Sequence, residues 1–333
     1  MLKNLTELCL QGNSLNPSQA EAALDALLDV STEDASRVAF LGALADKGES
    51  AEEIVGFAQA MMKRCVPVSL PHPGLDLCGT GGSGLERFNV STTVAFVLAA
   101  LGVPVCKHGN RGSKKGNGSF DLLEALGLPI DLDAKEQVKR FSEHGLCFLF
   151  ARAHHPTVKA VGPARAELGR RTIFNLVGPL CNPSNTERQV LGVSDPELGP
   201  RMIEALKALG RKSAMVVWGE PGIDELSLSG KSRMWELKEN KITETSITPE
   251  DVSLPLIPWD SLPAGDADHN ATIFKEILLG EEAEGLRDVV ALNTASALMV
   301  SGYEPDLKKG VQIALETLQS GKAQNLFEKT LKG

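Results

Sequence analysis

From Leu75 onward, apolar runs of four to seven residues alternate with amphipathic segments, and no other feature of the sequence restricts the fold as strongly. The runs are "LDLC" at 75–78, "VPVCKHG" at 103–109, "LCFLFA" at 146–151, "QVLGVS" at 189–194 and "SAMVVWG" at 213–219. Between them stand "STTVAFVLAALG", "FDLLEALG", "AKEQVKRFSEHG" and "PRMIEALKALG", which read as helices. Apolar strands joined through helices require a mainly parallel sheet covered on both faces. Residues 232–248 predict a β-hairpin, and helices complete the chain.

The first 65 residues predict helices only. Asn16 caps a helix with Pro17 at its first position, a second helix runs from a Ser/Thr start at 31–32 to Gly48, and a third starts at Ser50 with acids in its first turn. A further helix is expected at 2–11, and the proline-spaced "CVPVSLPHPG" reads as a linker. The segment 155–183 is helical in pattern but has no strand beside it, which leaves packing on the N-terminal helices as the alternative. The fold class expected is α/β: a small helical domain plus a large α/β domain with a mainly parallel central sheet flanked by helices.

Hydrophobic residues make up 42% of the 333 positions, enough for a real core, and the net charge of −9 weighs against a nucleic-acid partner. No apolar run is long enough to span a bilayer, and the N-terminus lacks a signal-peptide layout, so no membrane partner and a cytoplasmic location are expected. Six cysteines without metal-type spacing read as buried, reduced thiols.

"GTGGSGLERFNVST", 79–92, places a glycine loop between the first strand and a helix. Such a loop is a suitable anion site, because backbone N–H groups converge there with the helix dipole behind them. Gly79, Gly81 and Gly84 also satisfy G-x-G-x-x-G, but a dinucleotide site needs an acid at the end of the next strand, and that strand ends in Lys107-His108. A merely tight turn, with Ser91 as N-cap and Asn89 as a brace, is the other reading. The second loop, "KHGNRGSKKGNGSFD", follows the neighbouring strand. With Lys107, Arg111, Lys114, Lys115 and, on the first loop, Arg87, it gathers five cations that suit a polyanion. Asp224-Glu225, just after a strand, suits Mg²⁺ shared with substrate phosphates, or is a solvated turn.

Taken together, "GTGG…NVST", "KHGNR", "GS-x-D-x-LEALG", "RTIFNLVGPLCNP" and "G-x-DELSLSG" resemble the anthranilate phosphoribosyltransferase family of tryptophan biosynthesis, in order and spacing over 76–230. The resemblance implies a helical domain at 1–67 joined by about 155–183, an α/β domain at 74–154 and 184–333, hinges between them, and a homodimer formed through the helical part. It implies Mg²⁺-dependent transfer of phosphoribosyl from phosphoribosyl pyrophosphate to the amino group of anthranilate. Gly79, Thr80, Gly82, Asn89, Ser91, Thr92, Lys107 and Ser119 would hold the donor, with Ser83, Arg87 and Lys115 beside them. Ser91, Asp224 and Glu225 would hold Mg²⁺, and His108, Asn110, His155 and Arg165 would line the path of the aromatic acid. Lys107, Asn110 and Arg165 would carry catalysis. The sequence departs from the family at Ser83, where an Asp is usual, at Arg87, where Ser or Thr is usual, at Lys114 and Lys115, and at Val158. The alternatives are a pentosyltransferase or nucleoside phosphorylase-like enzyme with another acceptor, or a diverged non-catalytic binder of nucleotides or nucleic acid.

Overall fold

The computed structural model describes residues 1–112, 116–281 and 283–332. Four helices open the chain: α1 (Leu2–Leu10), α2 (Pro17–Leu28), α3 (Asp34–Lys47) and α4 (Ala51–Met62). Asn16 and Ser50 close capping boxes with Gln19 and Glu53, which fixes the starts of α2 and α4. The expected Ser/Thr start of α3 is instead Glu33, which makes no side-chain cap.

The α/β part follows as β1 (Leu75–Gly79), α5 (Val90–Ala100), β2 (Val105–Gly109), α6 (Ser119–Ala125), α7 (Ala134–His144) and β3 (Leu146–Phe150). Short helices α8 (Ala151–His154), α9 (Gly162–Leu168) and α10 (Ile173–Val177) fill the strandless interval. Then come β4 (Arg188–Gly192), α11 (Gly199–Ala208), β5 (Ser213–Gly219), the hairpin β6 (Ser232–Lys238) and β7 (Lys241–Ile247), and finally α12 (Ala267–Leu278), α13 (Leu286–Ser301), α14 (Leu307–Gln319) and α15 (Lys322–Lys332).

The seven strands form one sheet in the order β3-β2-β1-β4-β5-β6-β7, parallel from β3 to β5 and antiparallel beyond. The connection from β1 runs to one side and β4 lies on the other, so β1 and β4 flank the point where the strand order reverses. A ligand crevice is expected at the carboxyl ends of those two strands.

Side chains alternate across the sheet and feed two large cores, with a smaller cluster of Val68, Cys106, Phe141, Cys147 and Leu149 at β2 and β3. Leu75, Leu77, Val190, Met215 and Val217 pack with α5 and α12–α15, where Phe96, Phe274 and Phe327 meet edge to face at 5.1–5.6 Å. Leu191, Ala214, Val216 and Trp235 pack instead with α11, α9, α10 and the N-terminal helices. The interval 155–183 has no strand because its apolar residues, Val161, Ala164, Ile173 and Leu176, belong to that second core. It packs on α2, α3 and α4. All six cysteines are free; Cys65 and Cys78 are half-buried and not fully enclosed as expected. No helix among the described residues is long and apolar enough to cross a membrane.

A buried polar chain runs beneath the reversal point. Asp76 of β1 is fully buried; its Oδ1 accepts from the His108 backbone N–H of β2 at 2.9 Å, and its Oδ2 accepts from Gln189 Nε2 of β4 at 3.2 Å. Gln189 Oε1 in turn accepts from Arg211 Nε at 3.3 Å. Burial raises the Asp76 carboxyl, while the His108 N–H and the nearby Lys107 and Arg211 favour its charged form. Asp76→Ala leaves the His108 N–H unpaired and removes the buried counter-charge nearest Lys107 and Arg211, while Gln189 Nε2 keeps the Pro179 carbonyl oxygen, and it should cost about 3–5 kcal/mol. The urea midpoint of the ligand-free protein measures this; a shift worth under about 1 kcal/mol would refute the role.

Candidate active site

Three glycines of the first loop, Gly81, Gly82 and Gly84, have φ of 63°, 86° and 73°, a left-handed path that side-chain-bearing residues rarely adopt. The loop ends at Asn89, the N-cap of α5, so the expectation that Ser91 caps the helix is wrong. Ser91 and Thr92 lie in the first turn of the helix, and the buried Thr92 hydroxyl has no hydrogen-bond partner. Asn89 does not cap with its side chain either. Its amide donates to the Asn117 carbonyl oxygen at 3.3 Å, and Asn117 Nδ2 donates to the Arg87 carbonyl oxygen at 2.9 Å. The two loops are stitched to each other.

A residue the sequence did not mark completes that stitch. Asn270 of α12, fully buried, donates from Nδ2 to Asn89 Oδ1 at 3.0 Å and to Asn117 Oδ1 at 2.8 Å. Nothing local distinguishes it from any other helical Asn; only the tertiary fold brings it to partners far away in the chain. Ser194, after β4, was also missed, and its hydroxyl donates to the Gly81 carbonyl oxygen at 3.0 Å.

The second loop folds around an acid of its own. Asp121 Oδ2 accepts from the Gly112 and Gly118 N–H groups at 2.7 and 2.8 Å, and Arg111 pairs with Asp121 and with Glu124 at 2.6 Å. Ser119 Oγ and the Phe120 N–H both donate to the Asn110 carbonyl oxygen at 3.3 Å.

The carboxylates enter from the third segment. Gly79 and Gly192 are register partners at the ends of β1 and β4, and Asp224 crosses both. A Cβ on Gly79 would strike the Asp224 carboxylate, and one on Gly192 would strike its carbonyl oxygen. The Gly81 N–H donates to Asp224 Oδ2 at 2.9 Å, Arg87 ion-pairs with Oδ1, and Arg87 Nη1 also donates to Ser83 Oγ at 3.3 Å. Thr80 is anchored beside them by its N–H to the Gly192 carbonyl oxygen at 2.9 Å. The Glu225 carboxyl is pushed up to about 8 by burial, with Arg87 and Lys107 opposing and Asp224 reinforcing the rise.

The three described cations of the expected five, Arg87, Lys107 and Arg111, each meet a partner within the protein. Lys107 lies in β2, not on the loop; it is buried, donates to the Leu77 carbonyl oxygen at 2.5 Å, and is lowered by burial against the pull of Asp76. Arg111 is committed to α6 and Arg87 to Asp224. Lys114 and Lys115 lie outside the described residues. The physical reason is that a low-dielectric strand end selects counter-charges from within the chain.

On the opposite side, His108 and His155 meet edge to face with ring centroids 5.5 Å apart. His155 Nε2 donates to the Cys181 carbonyl oxygen at 2.8 Å, and burial lowers its pKa. Burial, then His155, pushes His108 well below the ordinary range, so both rings are neutral at pH 7. Arg165, half-buried on α9, lies over the Phe174 ring at 5.6 Å and makes one long hydrogen bond, 3.4 Å, to Asn175 Oδ1. Burial lowers its pKa. Val158 packs partly buried against the same core.

Among the described residues no group of three or more His, Cys, Asp or Glu is placed to hold a metal. Asp224 and Glu225 still fit Mg²⁺ in the way that ion prefers, as one or two carboxylates completed by substrate phosphates and water. The raised Glu225 is a half-buried acid that gains from a bound cation.

Comparison with known proteins bears on this arrangement. Residues 72–324 match the α/β domain of a glycosyl transferase family, and residues 3–65 match the helical bundle domain of a glycosyl transferase family. The anthranilate phosphoribosyltransferase of Novosphingobium aromaticivorans is 43% identical over 313 residues, 94% of each chain. The crystal structure of anthranilate phosphoribosyltransferase from Thermus thermophilus superposes with a TM-score of 0.92 at 40% identity, covering 98% of both chains. That of the Saccharomyces cerevisiae enzyme in complex with phosphoribosyl pyrophosphate and Mg gives 0.90 at 29% identity, covering 99% of this chain and 98% of that one.

The raised Glu225 predicts a pH effect. In the unfolded chain this carboxyl ionises near 4.5, in the fold near 8. Its protonated form is thus favoured by folding, and the associated stability is present below the unfolded value and lost as pH rises through 8. Glu225→Gln removes that loss. The variant should melt about 2–4 °C above the parent near pH 9 and level with it near pH 4 in the ligand-free state. Equal melting at both pH values would show that the carboxyl is not strained by burial.

Proposed function

The chain belongs to the glycosyl transferase family that includes the anthranilate phosphoribosyltransferases, and from that premise we propose that it transfers phosphoribosyl from phosphoribosyl pyrophosphate to the amino group of anthranilate, with Mg²⁺. The observation that carries this reading for the chain itself is Asp224 packed against the glycine loop at the strand-reversal point. It joins a phosphate cradle to a metal-binding acid in one crevice.

The donor's phosphates lie along the loop from Gly79 through Thr80, Gly82 and Ser83 to Asn89, Ser91 and Thr92, with Ser119 contributing from the second loop. The Thr92 hydroxyl, buried without a partner, supports this. Bound Mg²⁺ would neutralise charge developing on the pyrophosphate leaving group. Glu225 and Asp224 would hold it with phosphate oxygens, Ser91 completing the set. In the reaction the C1–O bond to pyrophosphate breaks, the bond from the amine nitrogen to C1 forms, and the amine gives up a proton. An arylamine is unprotonated at neutral pH and needs little help from a strong base, which agrees with two neutral histidines, His108 and His155, beside the path. Lys107 supplies fixed positive charge beneath the crevice, and Asn110 orients the acceptor with them.

Arg165 pairs the acceptor carboxylate. Its support is an under-used, half-buried guanidinium on an aromatic face. The helical part, 1–67 with about 155–183, closes over the α/β part, 74–154 with 184–333, and excludes water from the sugar donor. Two copies associate through the helical part, where Leu10 and Val30 are exposed, and the enzyme works in the cytoplasm.

Anthranilate fluorescence tests the reading directly. It should fall when phosphoribosyl pyrophosphate and Mg²⁺ are both present and remain steady when either is omitted. Arg165→Ala should raise the KM for anthranilate about thirtyfold or more while leaving that for the donor within about twofold. Donor binding without consumption of anthranilate would point to another acceptor. Absence of donor binding would overturn the assignment.

A further inference from the structure

Arg87 sits against Asp224, one of the two acids proposed to hold a bound cation. Its guanidinium is paired to Oδ1 and hydrogen-bonded through Nη1 to Ser83 Oγ, while the Gly81 N–H takes Oδ2. Asp224 Oδ2 is hydrogen-bonded within the protein, while Oδ1, which has no hydrogen bond of its own among the described residues, is met by Arg87 as an ion pair. The side chains are 24% and 3% exposed, so water screens the pair only weakly.

The guanidinium is also held from behind. The Arg87 carbonyl oxygen accepts from Asn117 Nδ2 at 2.9 Å and lies 3.4 Å from Asn270 Nδ2, and the next residue, Phe88, is buried in the core. The residue is thus fixed at both ends, by backbone on one side and by carboxylate on the other. Among the described residues only Nη1 is used in these contacts, which leaves Nε and Nη2 as donors for phosphate oxygens. A metal ion approaching Asp224 Oδ1 meets the like charge of Arg87, which opposes its binding there.

We propose that Arg87 is a tethered counter-cation of the Asp224–Glu225 pair, performing at Asp224 the neutralising work of a divalent ion and offering the donor's pyrophosphate a fixed positive charge. Asp224 thereby binds metal less readily in the free protein, and a divalent ion enters together with the donor. The proposal rests on the reading of phosphoribosyl pyrophosphate as the ligand. It makes the protein less dependent on metal for holding the donor than a site with a small neutral residue at position 87.

The test uses the full chain and the variants Arg87→Gln and Arg87→Lys. Mn²⁺ is titrated into ligand-free protein and followed by its paramagnetic resonance, and phosphoribosyl pyrophosphate is titrated calorimetrically with chelator and then with Mg²⁺. Arg87→Gln should bind Mn²⁺ about tenfold more tightly than the parent, and bind the donor about tenfold more weakly under chelation, with the deficit narrowing as Mg²⁺ is added. Mn²⁺ should raise its melting temperature more than the parent's. Arg87→Lys, which keeps a cation but loses the planar fork, should fall between the two. Unchanged Mn²⁺ affinity in Arg87→Gln, or unchanged metal-free donor affinity, would overturn the proposal. If Arg87→Gln fails to fold, Arg87→Met, which also removes the cation, decides by the same two readings, parent-like values in both refuting competition at Oδ1. Failure of every protein to bind the donor with Mg²⁺ present would instead refute the phosphoribosyl reading, while the Mn²⁺ arm still reports on the Arg87–Asp224 pair.

Discussion

The carboxylate of Asp224, laid across the ends of β1 and β4, is the contact on which the crevice depends. It excludes any side chain at Gly79 and Gly192, draws the Gly81 N–H toward it, and selects Arg87 as its partner. These consequences follow from one fact of packing: a charged group placed between two strand ends must be hydrogen-bonded or paired, and the strands must come bare of side chains to admit it. The loop's unusual backbone is the shape that results.

A second buried charge, Asp76, plays the matching part beneath the sheet. It ties β1 to β2 through the His108 N–H and to β4 through Gln189, with Lys107 and Arg211 as its neighbouring cations. The strand-reversal point is thereby held from below by Asp76 and from above by Asp224. Such buried polar chains contribute little net stability against apolar packing but penalise wrong registers, because any slip leaves charges unpaired. The Asn89–Asn117–Asn270 group does for the loops what Asp76 does for the strands, and it brings α12 into the site.

The two large cores explain how the helical part is joined to the sheet. One face of β4 and β5 packs on the side of α12–α15, the other with α11 and the N-terminal helices, and α9 and α10 complete that second core. His155 and Arg165 are carried on this second side, while the glycine loops and the carboxylates belong to the sheet.

The fold was legible because its signals are local. Periodicity, capping residues such as Asn16, Ser50 and Asp133, and apolar runs such as "LCFLF" act over a few residues, and the structure follows them nearly element for element. The glycine loop after β1 and the acids after β5 were legible as neighbours at the strand ends, and the structure brings Asp224 against Gly81. Charge was not. Five cations read along the chain as a basic patch, yet of the three among the described residues Arg111 answers Asp121 and Glu124, Lys107 turns under β1, and Arg87 answers Asp224. Asn270 and Asp76 carried no signal at all, because their partners are distant in sequence. The sequence by itself determined the elements, their order and the chemistry available at the strand ends. Only the tertiary structure decided which charges are spent inside the protein and which remain for a ligand, because Coulomb pairing and desolvation depend on distances that no linear pattern contains.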